Sequence, residues 1–195
     1  MSDIEALDPE AQHALLTLAR RAITEHLTRG RVPDEEPEHE ALHAELAAFV
    51  TLEQDGKLRG CVGQPDASGP LHEAVARTAV AAAIEDPHFS ALELSDIRYT
   101  EIEISVLSPM TPITPEEIEI GLHGLYVAQG RKRGVFLPQV PVQYGWDVSQ
   151  YLKELLSKGG LDPGAYDDPQ TRLFGFTAEV FSEGDLQREE PEGPY

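Results

Sequence analysis

Cys61 is the only cysteine in 195 residues and the side chain best suited to covalent chemistry. It stands in the run Leu58-Arg59-Gly60-Cys61-Val62-Gly63, two positions after an arginine and flanked by glycines. The thiolate is the reactive form of a cysteine, and a neighbouring guanidinium favours it by stabilising the negative charge. Side chains on a strand alternate, so Arg59 and Cys61 are expected to share one face. Glycine inside a strand marks a bulge or a close approach to the backbone. The expected binding residues are Gly60 and Gly63, with Gln64 at the exit that Pro65 forces. Backbone N–H groups around the two glycines could cradle an anion or an oxyanion. A cysteine nucleophile also needs a base, usually histidine. His72, at the start of a predicted helix, and His123, beside Gly124, are the candidates. The plainer alternative makes Cys61 a small buried apolar residue, because free cysteines are among the most buried types.

Other chemistries have weaker support. The chain has seven histidines but no C-x-x-C and no H-x-x-x-H on a predicted helix. His39 and His43 have i, i+4 spacing in a segment without helical period, whereas zinc needs three or four convergent ligands. No metal is expected. Neither a P-loop nor a G-x-G-x-x-G occurs, so no nucleotide cofactor is expected either. Glu101 and Glu103 share a strand face and read as the wet side of a sheet rather than an acid–base pair. Trp146 and Tyr144 read as packing or interface aromatics.

Thirty-five acidic residues against fifteen basic ones give a net charge of −20. A polyanion needs a basic surface, so nucleic acid is excluded as an expected ligand. Arg131-Lys132-Arg133 is the one basic cluster and reads as a solvated hairpin tip. A single cysteine suits a reducing compartment. No apolar run approaches the ~18–20 residues of a membrane span, and the first residues lack a signal core. A soluble cytoplasmic protein is expected.

The elements that would position Cys61 follow from periodicity. Asp8-Pro9 opens an amphipathic helix running to about Thr28 and stopped by Gly30. Residues 31–43 read as a surface loop. Asp55-Gly56 joins residues 47–52 and 58–63 as a hairpin, because both positions of a type I′ turn need positive φ. A second helix starts at Leu71 and ends near Asp86-Pro87. Residues 101–107 alternate as a half-buried strand. Residues 108–115, with Pro109, Pro112 and Pro115, form a rigid link and the expected hinge. Residues 122–128 and 134–138 make a second hairpin. Asp147 and Gln150 form a capping-box pattern ahead of a helix burying Val148, Tyr151, Leu152 and Leu155. Residues 174–180 alternate as one final strand, and 183–195 form a polar tail expected to fray. Helices interleaved with hairpins, without βαβ alternation, predict an α+β fold.

The run L-R-G-C-V-G at residues 58–63 resembles the signature of the AMME-syndrome candidate (AMMECR) domain family. Residues 83–89 (A-I-E-D-P-H-F), 101–109 (E-I-E-I-S-V-L-S-P), 134–140 (G-V-F-L-P-Q-V) and Gly145-Trp146-Asp147 resemble its later blocks in order. The resemblance implies a single domain over 1–195, with a larger lobe from both chain ends and a smaller lobe between. Bacterial and archaeal members belong to the AmmeMemoRadiSam system, which implies two partners. One is a Memo-like protein of the extradiol-dioxygenase type, the other a radical S-adenosylmethionine protein. His88 stands where relatives usually carry Arg, and Leu156 where many carry a second Cys, so no two-thiol site can form within this chain. Two functions are open. Either Cys61, in a cleft between lobes, serves an enzyme or enzyme subunit acting on a small molecule or a modified protein, or the chain is a non-catalytic adaptor.

Overall fold

The computed structural model describes residues 6–33 and 36–185. The chain divides into two compact units. The larger runs to Val106 and resumes at Glu179, and the smaller is Leu107–Ala178. This is the α+β architecture expected, with the larger unit drawn from both chain ends.

In the larger unit α1 (Pro9–Arg29) starts as the sequence dictates. The Asp8 side chain accepts from Ala11 N, Pro9 opens the first turn, and Gly30 closes the helix at φ 68°. Strands β1 (Ala47–Gln54) and β2 (Lys57–Gly63) are joined at Asp55 (φ 52°) and Gly56 (φ 68°), the paired positive values of the expected turn. Helix α2 (Leu71–Ile84) lies against β1, β2 and α1. Strand β3 (Thr100–Leu107) and β8 (Ala178–Ser182) complete a four-stranded sheet of order β2-β1-β3-β8. Ile102, Ile104 and Val106 are fully buried, as their alternation predicts. Ser105, expected on the wet face, is also buried at 1% exposure.

In the smaller unit β4 (Thr111–Pro112), β5 (Gly124–Gln129), β6 (Lys132–Phe136) and β7 (Arg172–Phe176) form a sheet of order β4-β7-β5-β6. Helix α3 (Gln139–Tyr144) was not expected, and α4 (Val148–Lys158) packs on β5 and β6. Asp147 accepts from Gln150 N, but the Gln150 side chain turns to Glu154 at 2.6 Å, so only half the capping box forms. Tyr151, Leu152, Leu155 and Leu156 are the buried stripe, with Leu125 and Val127 opposite. Leu156 is therefore a core side chain here.

Two further expectations change. The alternating run 174–180 is not one strand. It breaks at Thr177, whose N–H is taken by Ser108 Oγ at 2.9 Å while its carbonyl accepts from Ser108 N, and β7 and β8 join different sheets. Of the tail expected to fray, residues 186–195 lie outside the described ones. Glu183 is firmly held: Arg20 and the Ile102 N–H both bond its carboxylate.

Candidate functional site

Cys61 lies on β2, an edge strand, paired with Thr51 of β1, and is half-buried. The Thr51 hydroxyl donates to Cys61 Sγ at 3.4 Å. A hydroxyl donated to sulfur favours the charged form of the thiol. An edge strand has backbone N–H groups without a neighbouring strand. The Cys61 N–H finds instead the Asp86 carboxylate, donating to Oδ2 at 2.9 Å.

Asp86 follows the last turn of α2, where Pro87 prevents the helix from continuing. Its other oxygen, Oδ1, accepts from the His88 N–H and meets His88 Nδ1, each at 2.9 Å. The Asp86 side chain is 6% exposed and the His88 side chain 81% exposed. Burial pushes the Asp86 pKa up, but the hydrogen bonds from Cys61 N–H, His88 N–H and the His88 ring outweigh it, leaving the carboxyl below its ordinary value. An ionised carboxylate only accepts, so Nδ1 carries the proton, and Nε2 of the neutral ring is the acceptor on an accessible side chain. One buried carboxylate thus ties the backbone of the only thiol to an oriented imidazole.

The residues chosen from sequence fall out differently. Arg59 does not share a clean face with Cys61. The register passes from Glu53↔Leu58 to Leu52↔Gly60, so Arg59 is the extra residue of a β-bulge. Its guanidinium donates to Ser90 Oγ and Ala91 O, both at 3.4 Å, rather than to the sulfur. Both glycines have packing reasons. A Cβ on Gly60 would collide with the backbone carbonyl of Ala82 in α2, and one on Gly63 would collide with the Phe49 ring. The space over each glycine is therefore filled, not open. Gln64 is exposed, and its Oε1 accepts from Ser68 Oγ across a turn.

His72 lies ten residues before Ala82 on α2, about 15 Å of axial rise from the point where β2 meets the helix. It is not the base for Cys61. His123 belongs to the smaller unit, and its Nδ1 accepts from Glu119 N at 3.1 Å while its carbonyl accepts from the Tyr151 hydroxyl. That ring nitrogen is committed to closing a turn.

Sequence reasoning missed Thr51, Asp86 and His88. Asp86-Pro87 read only as a helix stop. The findable signal was an Asp-x-His triplet, in which a short acid two residues before an imidazole can reach it and the following N–H together. Among the described residues no group of three or more His, Cys, Asp or Glu could hold a metal ion. No helix among them is long and apolar enough to cross a membrane.

A hairpin that sets a lone cysteine on an edge strand, with a helix backbone pressed on the preceding glycine, fits the class of protein that the sequence resembled. The AMMECR1 family model matches residues 16–181, and the chain belongs to that family. It is 38% identical to a protein of Methanothermobacter thermautotrophicus over 91% of this chain and 96% of that one. It is 39% identical to protein MK0488 of Methanopyrus kandleri, over 97% and 94%. The crystal structure of the uncharacterised protein PH0010 from Pyrococcus horikoshii superposes with a TM-score of 0.83, at 38% identity and covering 93% of each chain.

Proposed function

We propose that this chain is a cysteine-dependent enzyme or enzyme subunit in which Cys61 is the nucleophile, His88 its base and Asp86 the group that orients His88. The substrate class is an electrophilic centre of a small molecule or a modified protein. In this reading His88 Nε2 takes the thiol proton and Thr51 stabilises the resulting sulfur anion. The sulfur bonds an electrophilic carbon as that carbon's bond to its leaving group breaks, the leaving group keeping the electron pair and taking the proton from His88. Arg59, His72 and His123, candidates by sequence, take no part. The setting proposed is the cytoplasm, with a Memo-like and a radical S-adenosylmethionine protein as partners.

The observation that supports this reading best is the double use of Asp86. It bonds the Cys61 N–H through one oxygen and His88 through the other, at 2.9 Å each. A carboxylate needed only for the local turn to His88 would not have to bond the N–H of Cys61 on β2 as well.

A non-catalytic adaptor is the second reading, favoured by one fact: packing accounts for both glycines beside the thiol. The pH profile of Cys61 alkylation by iodoacetamide separates the two. The enzyme reading expects the rate to rise at a lower pH than for a free cysteine, and expects Asp86→Asn to move the profile back. A profile matching free cysteine in both proteins supports the adaptor.

A further inference from the structure

The larger unit contains a cavity of about 550 Å³ at the start of α2, which uses none of the residues around the thiol. That is the size range of small-molecule sites. Its apolar lining is Leu18, Val32, Pro33 and Ala76, and its polar lining includes the first turn of α2 and two imidazoles, His43 and His72, whose rings meet edge-on at 5.1 Å between centroids.

Three observations at this cavity concern unmet hydrogen bonding. Pro70 is the N-cap of α2 and supplies no side-chain cap. Leu71 N is satisfied by Ala44 O at 2.9 Å, but the N–H groups of His72 and Glu73 have no partner among the described residues. His72 itself is only 8% exposed, and its ring has no hydrogen bond among the described residues. The ring nitrogens of His72 are not among the fully buried, unpartnered side-chain atoms, so a ligand or water in the cavity reaches them. The start of a helix also carries positive partial charge. Of the described residues two acids line the cavity: Glu73 pairs with Arg77 at 3.4 Å, and Glu36 is exposed to water.

We propose that this cavity binds a small organic anion. Its carboxylate or phosphate meets His72 and the free N–H groups of the first turn of α2, and its apolar body lies against Leu18, Val32 and Pro33. Helix start and imidazole are all N–H sources, so an anion complements them where a cation does not. The volume beyond them suits a body of ring size rather than a bare ion.

The test is a titration of the full chain with benzoate, benzamide and benzylamine, followed through the imidazole NMR signals of His72 and His43. Hexanoate and phenyl phosphate serve as further anionic probes. The expected result is saturable movement of both signals with at least one of the anions, and none with benzamide or benzylamine. His72→Phe should weaken that binding about tenfold or more, as loss of a hydrogen bond to a charged group does. Should His72→Phe fail to fold, His72→Gln decides, because its amide can still donate and should retain part of the affinity. Three results overturn the proposal: no saturable movement with any of the anions, equal movement with benzamide, or undiminished binding in the His72 variant tested.

Discussion

Gly60 and Gly134 face the same constraint in the two units. Each lies on an edge strand of its sheet, and each is pressed by the backbone of the helix packed on its hairpin. A Cβ on Gly60 would strike Ala82 O of α2, and one on Gly134 would lie 2.7 Å from Leu155 O of α4. The next residue along each strand is where the two units part. In the smaller unit Val135 pairs with Tyr126, and α4 runs out into Gly159-Gly160. In the larger unit that residue is Cys61, and beyond the helix Asp86 reaches back to its N–H. The glycine beside Cys61 can therefore be explained by helix packing alone. The chemistry, where present, is set by what the helix delivers after it ends.

The largest expected effects probe the shared half of that comparison. Gly60→Ala should cost about 3 kcal/mol and Gly134→Ala about 2 kcal/mol, because backbone cannot move aside as a side chain can. Urea denaturation checks both against Gly164→Ala, where nothing lies within 4 Å of the added carbon. Parity of Gly60→Ala with that control would remove the packing explanation.

Next come the groups that differ. Asp86→Asn should cost about 1–2 kcal/mol at neutral pH through the loss of charge-assisted bonds. The folded pKa of Asp86 is lowered. Its contribution is thus complete above the unfolded value of ~3.9 and is lost as pH falls through the lower, folded value. Denaturation curves of wild type and Asp86→Asn should converge on acidification and stay parallel from about pH 5 upward. A gap that widens in acid would give the carboxyl the opposite role.

His88→Gln should slow Cys61 alkylation about tenfold at neutral pH, the effect of moving a thiol's titration by one unit. The smallest effect belongs to Arg59→Gln. Its two long hydrogen bonds to Ser90 and Ala91 make it a surface brace, so stability should change by under about 0.5 kcal/mol and alkylation not at all. A fall in alkylation would restore Arg59 to the thiol.

Much of the scaffold was legible because its signals are local. Asp8-Pro9, Gly30 and Asp55-Gly56 each act within a turn, and the structure uses them as the sequence suggests. The alternation of Ile102, Ile104 and Val106 encodes a buried face directly. What failed depends on distant pairing. The bulge at Arg59 appears only in the register with β1, and strand alternation within β2 cannot reveal it. Phe174 and Val180 alternate as one run, yet the chain changes sheets at Thr177, a choice made by Ser108. The lone thiol was visible as a candidate. The Asp86–His88 pair was not, because it meets Cys61 only when a carboxylate beyond a helix end turns back toward β2.

The central claim is that Asp86 acts on Cys61 through His88. A double-mutant cycle on the Cys61 alkylation rate tests it most directly, using wild type, Asp86→Asn, His88→Gln and the double variant. The account expects the double variant to react no more slowly than His88→Gln alone. Rates that fall by the product of the two single effects, or that do not fall at all, would contradict it.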